Sequence, residues 1–181
     1  MKCSRNNQDV ILNKMVQAFN TIVSIGIIGF QILIVFIFVA MFHKTKIKFL
    51  QKNYIWIGFL ISLGSVVVSM IYSVIIGYAP CLLCWWARIF MFPQLIIFTV
   101  ALFRKDNSVF WYSGILSLGG IIVSGYHTFI ERGGTDVLNC ASTGVSCLSR
   151  YVFEFGYITI PVMALSGFLL LFALAMYQNK K

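Results

Sequence analysis

Residues 54–103 read YIWIGFLISLGSVVVSMIYSVIIGYAPCLLCWWARIFMFPQLIIFTVALF, and Arg88 is the only charged side chain among them. One helix crosses the hydrocarbon core of a bilayer with about 20 apolar residues, so this stretch is long enough for two crossings. Pro80 divides it, because proline disfavours helix in the residue before it. The stretch therefore predicts two membrane spans, Tyr54–Ala79 and Leu82–Phe103, joined by a tight turn that carries Cys81 and Cys84.

Working outward, three further runs have the length and apolarity of a span: Thr21–Phe42, Val109–Ile130 and Ile158–Tyr177. The approach to the first run carries Asp9 and Lys14, and the run is too long for the apolar segment of a cleavable signal peptide. It is read as a retained span. The connections are short, so sequence neighbours are expected to pack antiparallel. The fold class is an all-α membrane protein, with a four-helix transmembrane bundle preceded by one additional N-terminal transmembrane helix. No internal repeat, low-complexity tract or soluble domain is found.

Composition supports the same class. Of 181 residues 60% are hydrophobic and 10% charged, with a mean hydropathy of +0.90, which leaves too little charged surface for a soluble domain. The formal charge of +9 comes from 14 Lys and Arg against 5 Asp and Glu. These basic residues lie between apolar runs, where topology and anionic lipid account for them, and nucleic-acid binding is set aside. Five spans put the termini on opposite sides. Lys44, Lys46, Lys48, Lys52, Arg104, Lys105, Lys180 and Lys181 share one side; Lys2, Arg5, Lys14, Arg88, Arg132 and Arg150 share the other. The richer set is assigned to the cytoplasm.

That assignment puts all five cysteines outside, where disulfides persist. Cys81 and Cys84 lie at the junction of the second and third spans, Cys140 and Cys147 in the loop between the fourth and fifth, and Cys3 near the N-terminus. A helix beginning at Cys81–Cys84 places Cys84 near unpaired backbone N–H groups that favour an anion. Arg88, four residues on, shares its helix face. Both features favour thiolate, the form that attacks disulfides and electron-poor rings. A charge so close to the membrane also points to function. The rival readings are structural disulfides, or a metal site made by the four thiolates, whose six-residue Cys140–Cys147 spacing is unlike the compact pairs of zinc ribbons. Cys140 and Cys147 enclose Ala-Ser-Thr-Gly-Val-Ser, small enough to close a loop disulfide and to open to a protein partner. From Ile130 the chain can reach up to ~33 Å before Cys140.

The run Cys81-Leu82-Leu83-Cys84-Trp85-Trp86-Ala87-Arg88 resembles the CxxC-x-x-x-R motif of the DsbB family of disulfide bond formation proteins. Tyr126-His127, then Cys140 to Cys147, and Phe155-Gly156-Tyr157-Ile158-Thr159-Ile160-Pro161 resemble it too, with most similarity to the short-loop, BdbC-like branch. The resemblance divides the chain into residues 1–53 (extra helix and basic cytoplasmic loop), 54–177 (DsbB-like four-helix domain) and 178–181 (basic tail).

Membership of that family implies a bacterial cytoplasmic (inner) membrane enzyme with its redox cysteines on the outer side. It would reoxidise a DsbA-like, thioredoxin-fold thiol oxidase and pass the electrons to ubiquinone or menaquinone. Carried onto this chain, the resemblance makes Cys140 the sulfur attacked by the partner and Cys147 its mate. Cys147 would exchange with Cys81, leaving Cys84 to face the quinone. Arg88 would stabilise negative charge there, and His127 would contact a quinone oxygen or move a proton. His127 has a plainer reading as an interfacial polar residue. Trp85 and Trp86 read as belt residues at the membrane boundary. Pro93 and Pro161 read as helix kinks or starts, and Glu131 and Arg132 as the solvated end of the fourth helix.

Three features depart from the family pattern: the first span with Cys3, Ala87 before the arginine, and the short Cys140–Cys147 loop. The vitamin K epoxide reductase type shares the helical plan, but there the CxxC follows the loop cysteines, whereas here it precedes them. A non-catalytic metal-binding or scaffold membrane protein is the alternative from a different class.

Overall fold

A computed structural model describes residues 7–43, 48–104, 108–136 and 146–179. Five helices follow one another: α1 (Asn7–Phe42), α2 (Lys48–Met70), α3 (Leu82–Arg104), α4 (Val109–Glu131) and α5 (Ile160–Asn179). All five are long and apolar enough to cross a membrane. Among the described residues no strand occurs, only an isolated bridge between Glu154 and Ile158.

Two boundaries differ from expectation. α1 begins at Asn7 instead of Thr21, because residues 7–20 are polar in places but contain neither Gly nor Pro to stop a helix. Its 36 residues would span about 54 Å, well beyond a hydrocarbon core of about 30 Å. α2 stops at Met70, short of Ala79, and passes into a π-helical turn at Ile71–Ile75. Gly77, with φ of 84°, then turns the chain in a conformation that favours glycine. Backbone bonds from Ile76 N to Ile71 O (3.0 Å) and Tyr78 N to Tyr72 O (2.9 Å) hold this widened end.

α2, α3, α4 and α5 close a four-helix ring, each packed on the next and α5 back on α2. α5 is its most enclosed member, with Phe168, Leu170 and Leu171 fully buried. Close approach depends on missing side chains: a Cβ at Gly120 would overlap the Phe168 ring, and one at Gly58 the Phe98 ring. Gln94 of α3, fully buried, donates to Ser117 of α4 at 3.2 Å.

α1 breaks the neighbour rule, packing chiefly on α5 rather than on α2. Gln31 pins it from two sides, donating to Ser166 at 3.3 Å and accepting from the Tyr157 hydroxyl at 2.8 Å. Tyr157 belongs to a turn with φ positive at Phe155 and Gly156, closed by reciprocal bonds between Glu154 and Ile158.

Candidate active site

The turn after α2 delivers Cys81 as the residue before α3, and its carbonyl accepts the first helical bond from Trp85 N at 3.2 Å. Cys84 follows in the first turn, so the two sulfurs lie 3.3 Å apart. The last turn of α4 brings His127 alongside, with Nε2 3.7 Å from the Cys81 sulfur and 3.3 Å from the Cys147 carbonyl oxygen. Cys81 and Cys147 are both buried in one small cluster with Leu83 and Ile130, against which Cys84 and Tyr126 pack. Three of the four sequence-predicted cysteines are thus brought together with His127. Cys140 lies outside the described residues, as does Cys3.

The Cys81 thiol is held below the ordinary cysteine range, first by the hydrogen bond from Cys84 and then by His127, against the opposing effect of burial. Sequence reasoning favoured Cys84 as the thiolate; His127 stands beside the other cysteine of the pair, Cys81.

Arg88 shares a face with Cys84, as i+4 spacing requires, and its guanidinium reaches across to α2. Nε donates to Ser69 Oγ at 3.0 Å and Nη2 to the Ser69 carbonyl at 3.2 Å. That carbonyl lies where α2 passes into the π turn, and it also accepts from the Ser73 hydroxyl at 3.1 Å. π turns within α-helices often mark functional positions. Trp85 lies beneath the guanidinium at 5.2 Å, while Trp85 and Trp86 are both exposed.

These groups share one cavity of about 340 Å³. Cys81, Cys84, Arg88, His127 and Cys147 line one part, and apolar side chains of α1, α2 and α5 line much of the rest. Tyr72, Tyr78 and Tyr151 also line it, stacked in series at 5.8 and 4.7 Å. Ser124, 1% exposed, lines the cavity with a hydroxyl that has no hydrogen-bond partner.

Glu131 corrects the sequence reading. It is buried and lines the cavity. Its carboxylate accepts from the Thr159 hydroxyl at 2.6 Å, and its backbone carbonyl accepts from Arg150 at 2.6 Å. Arg132 alone is the exposed end of α4. Sequence reasoning missed Ser69 and Ser124, and it quoted Thr159 only within a family-like stretch without giving it a role; polar residues inside apolar runs were the available signal. Cys81, Cys84 and His127 also bring three potential metal-donor atoms within 4.8 Å of one another.

Residues 51–178 match the model of the family described as disulfide bond formation protein DsbB. The chain belongs to the DsbB family. It is 34% identical over 131 residues to the probable disulfide formation protein C 2 of Bacillus anthracis, covering 72% of this chain and 93% of that one. It is 33% identical over 130 residues to the disulfide bond formation protein C of Bacillus subtilis (strain 168), covering 71% and 90%. The probable disulfide formation protein of Oceanobacillus iheyensis is 38% identical over 123 residues, covering 66% and 82%. No solved structure matches the chain. A multi-pass membrane protein of the DsbB family places the site within disulfide-bond formation. α1 lies wholly before the family match.

Proposed function

We propose that this protein is a membrane thiol:quinone oxidoreductase. It reoxidises a DsbA-like thioredoxin-fold thiol oxidase at the outer face of the bacterial cytoplasmic membrane. The observation that carries this reading is a close pair of cysteines, an imidazole and a guanidinium in the wall of one largely apolar cavity of a membrane bundle.

The cavity fits ubiquinone or menaquinone on two counts. Its ~340 Å³ falls within the size range of small-molecule sites. The unpartnered Ser124 hydroxyl offers a donor to a carbonyl oxygen. A bound quinone would supply a two-electron acceptor. Arg88, anchored on Ser69, would hold positive charge at the cavity wall.

The thiol chemistry runs from the loop inward. The partner's thiolate attacks Cys140 of a Cys140–Cys147 disulfide and releases Cys147, which attacks Cys81 of a Cys81–Cys84 disulfide, next to which it is buried, and releases Cys84 toward the cavity. The partner's second thiol frees Cys140, Cys140 then recloses on Cys147 and expels Cys81, and closing the Cys81–Cys84 dithiol releases two electrons and two protons. His127 is within reach of the Cys81 proton at 3.7 Å. The positive-inside count supports the outward orientation.

A second reading has one observation in its favour, the donor cluster of Cys81, Cys84 and His127. Two sulfurs and an imidazole suit zinc, although a structural site takes four ligands. One experiment separates the two: quinone reduction by the purified protein with a reduced thioredoxin-like oxidase, comparing wild type with Cys84→Ser. Turnover in wild type and its loss in Cys84→Ser is expected. Stoichiometric zinc without turnover, across several quinones and partners, would transfer the site to the metal reading.

A further inference from the structure

The family match starts at residue 51, yet the cavity does not belong to that part alone. Val23, Gly26, Ile27 and Phe30 of α1 contribute to its wall. Their placement is fixed by more than lipid packing. Ile27 is buried in one cluster with Tyr72 and Met163. Phe19 meets the Tyr72 ring edge-on at 5.5 Å, and Gln31 bonds both Tyr157 and Ser166. α1 is therefore a built wall of the cavity, supplied from outside the family domain.

Two positions in the cavity wall carry no side chain. Gly26 of α1 and Gly64 of α2 both line the cavity, and both are exposed. A Cβ added at either would meet no atom within 4 Å. Small residues in membrane helices ordinarily let a neighbouring helix approach, and here no neighbour has done so. Both glycines lie near the middle of their spans. At the polar side of the same cavity is the buried, unpartnered Ser124 hydroxyl. A ligand suited to both ends has a carbonyl-bearing head and a long apolar tail.

We propose that α1 forms part of the electron-acceptor site, and that the seam between Gly26 and Gly64 is the opening through which a quinone's isoprenoid tail reaches the bilayer. This rests on the thiol:quinone reading and extends it to a specificity element outside the family domain. The head is held by the residues around Ser124, His127 and Arg88. The tail leaves between α1 and α2, so affinity for tailed quinones depends on the space at Gly26.

The test is equilibrium binding in lipid nanodiscs, read by tryptophan fluorescence quenching, of ubiquinone with its full isoprenoid tail and of the tail-less dimethoxy-methyl-benzoquinone ring. Gly26→Leu fills the opening; Gly29→Leu adds the same bulk to α1 where no cavity is lined and a Cβ likewise meets nothing. Gly26→Leu is expected to weaken tailed quinone about tenfold and the ring by less than about twofold, with Gly29→Leu like wild type. Equal loss for both probes, or no loss for either, overturns the assignment of the seam. If wild type binds neither probe, the quinone reading itself fails and the seam falls with it. Should Gly26→Leu fail to fold, Gly64→Leu across the seam carries the same expectation.

Discussion

Ser69 has no chemistry of its own, yet the structure makes it the anchor of Arg88, and that dependence has a measurable size. The guanidinium donates through Nε to the Ser69 hydroxyl at 3.0 Å and through Nη2 to the Ser69 carbonyl at 3.2 Å. Ser69→Ala removes the first bond and keeps the second. A hydrogen bond to a charged group contributes about 1.5–3 kcal/mol. The site is only partly buried, which argues for the lower end, about 1.5 kcal/mol or roughly tenfold in an equilibrium. Arg88→Lys keeps the charge but loses the planar fork.

A double-mutant cycle on Ser69→Ala and Arg88→Lys, read as kcat/KM for quinone with saturating reduced partner, should therefore show coupling of about 1–1.5 kcal/mol. Most of the effect should fall on the quinone half-reaction, with the rate of disulfide exchange with the partner left near wild type. Additive effects, with coupling below about 0.5 kcal/mol, would refute the anchoring argument. So would a Ser69→Ala loss confined to the partner exchange.

Three further outcomes are expected. With Cys140 and Cys147 replaced by Ser, the pH midpoint for alkylation of Cys81 should lie below that of an ordinary cysteine, because the hydrogen bond from Cys84 favours its charged form. Cys84→Ala should move that midpoint up by about one unit or more, and Cys84→Ser, which keeps an O–H donor, by less; equal midpoints would show that Cys84 supplies nothing. Thr159→Val removes the 2.6 Å donor to the buried Glu131 carboxylate and should destabilise the protein by about 1–3 kcal/mol in thermal unfolding, whereas wild-type stability would show that water replaces the donor. Gly120→Ala pushes a Cβ into the Phe168 ring, while Gly125→Ala meets nothing within 4 Å; the first should cost about 1–3 kcal/mol and the second almost nothing, and similar unfolding temperatures would contradict the packing at Phe168.

Much of this protein was legible before its structure. The CxxC could be placed at a helix start because Pro80 interrupts the apolar run, and the backbone does turn there. His127 could be placed near the same membrane face because it falls at the end of an apolar run of span length. The site's inner connections were not legible. Arg88 was paired with Cys84 by spacing along one helix, but its bonds go across to Ser69. Glu131 was read as solvated because it is charged and terminal. Burial against Thr159 depends on how the chain re-enters the membrane at α5.

From sequence alone came the number of spans and the all-helical class. Each follows from local quantities: the length of apolar runs against bilayer thickness, and the need of every backbone group in lipid to bond within its own helix. What only the tertiary structure decided was which helices meet. Hydrophobicity drives a helix into lipid but does not choose its neighbour there, since lipid tails are as apolar as Leu. Choice of neighbour rests on shape and on a few polar contacts, such as Gln31 with Ser166 and Tyr157. Those contacts dock α1 on α5 and bring the extra helix to the wall of the cavity beside Cys84 and Arg88.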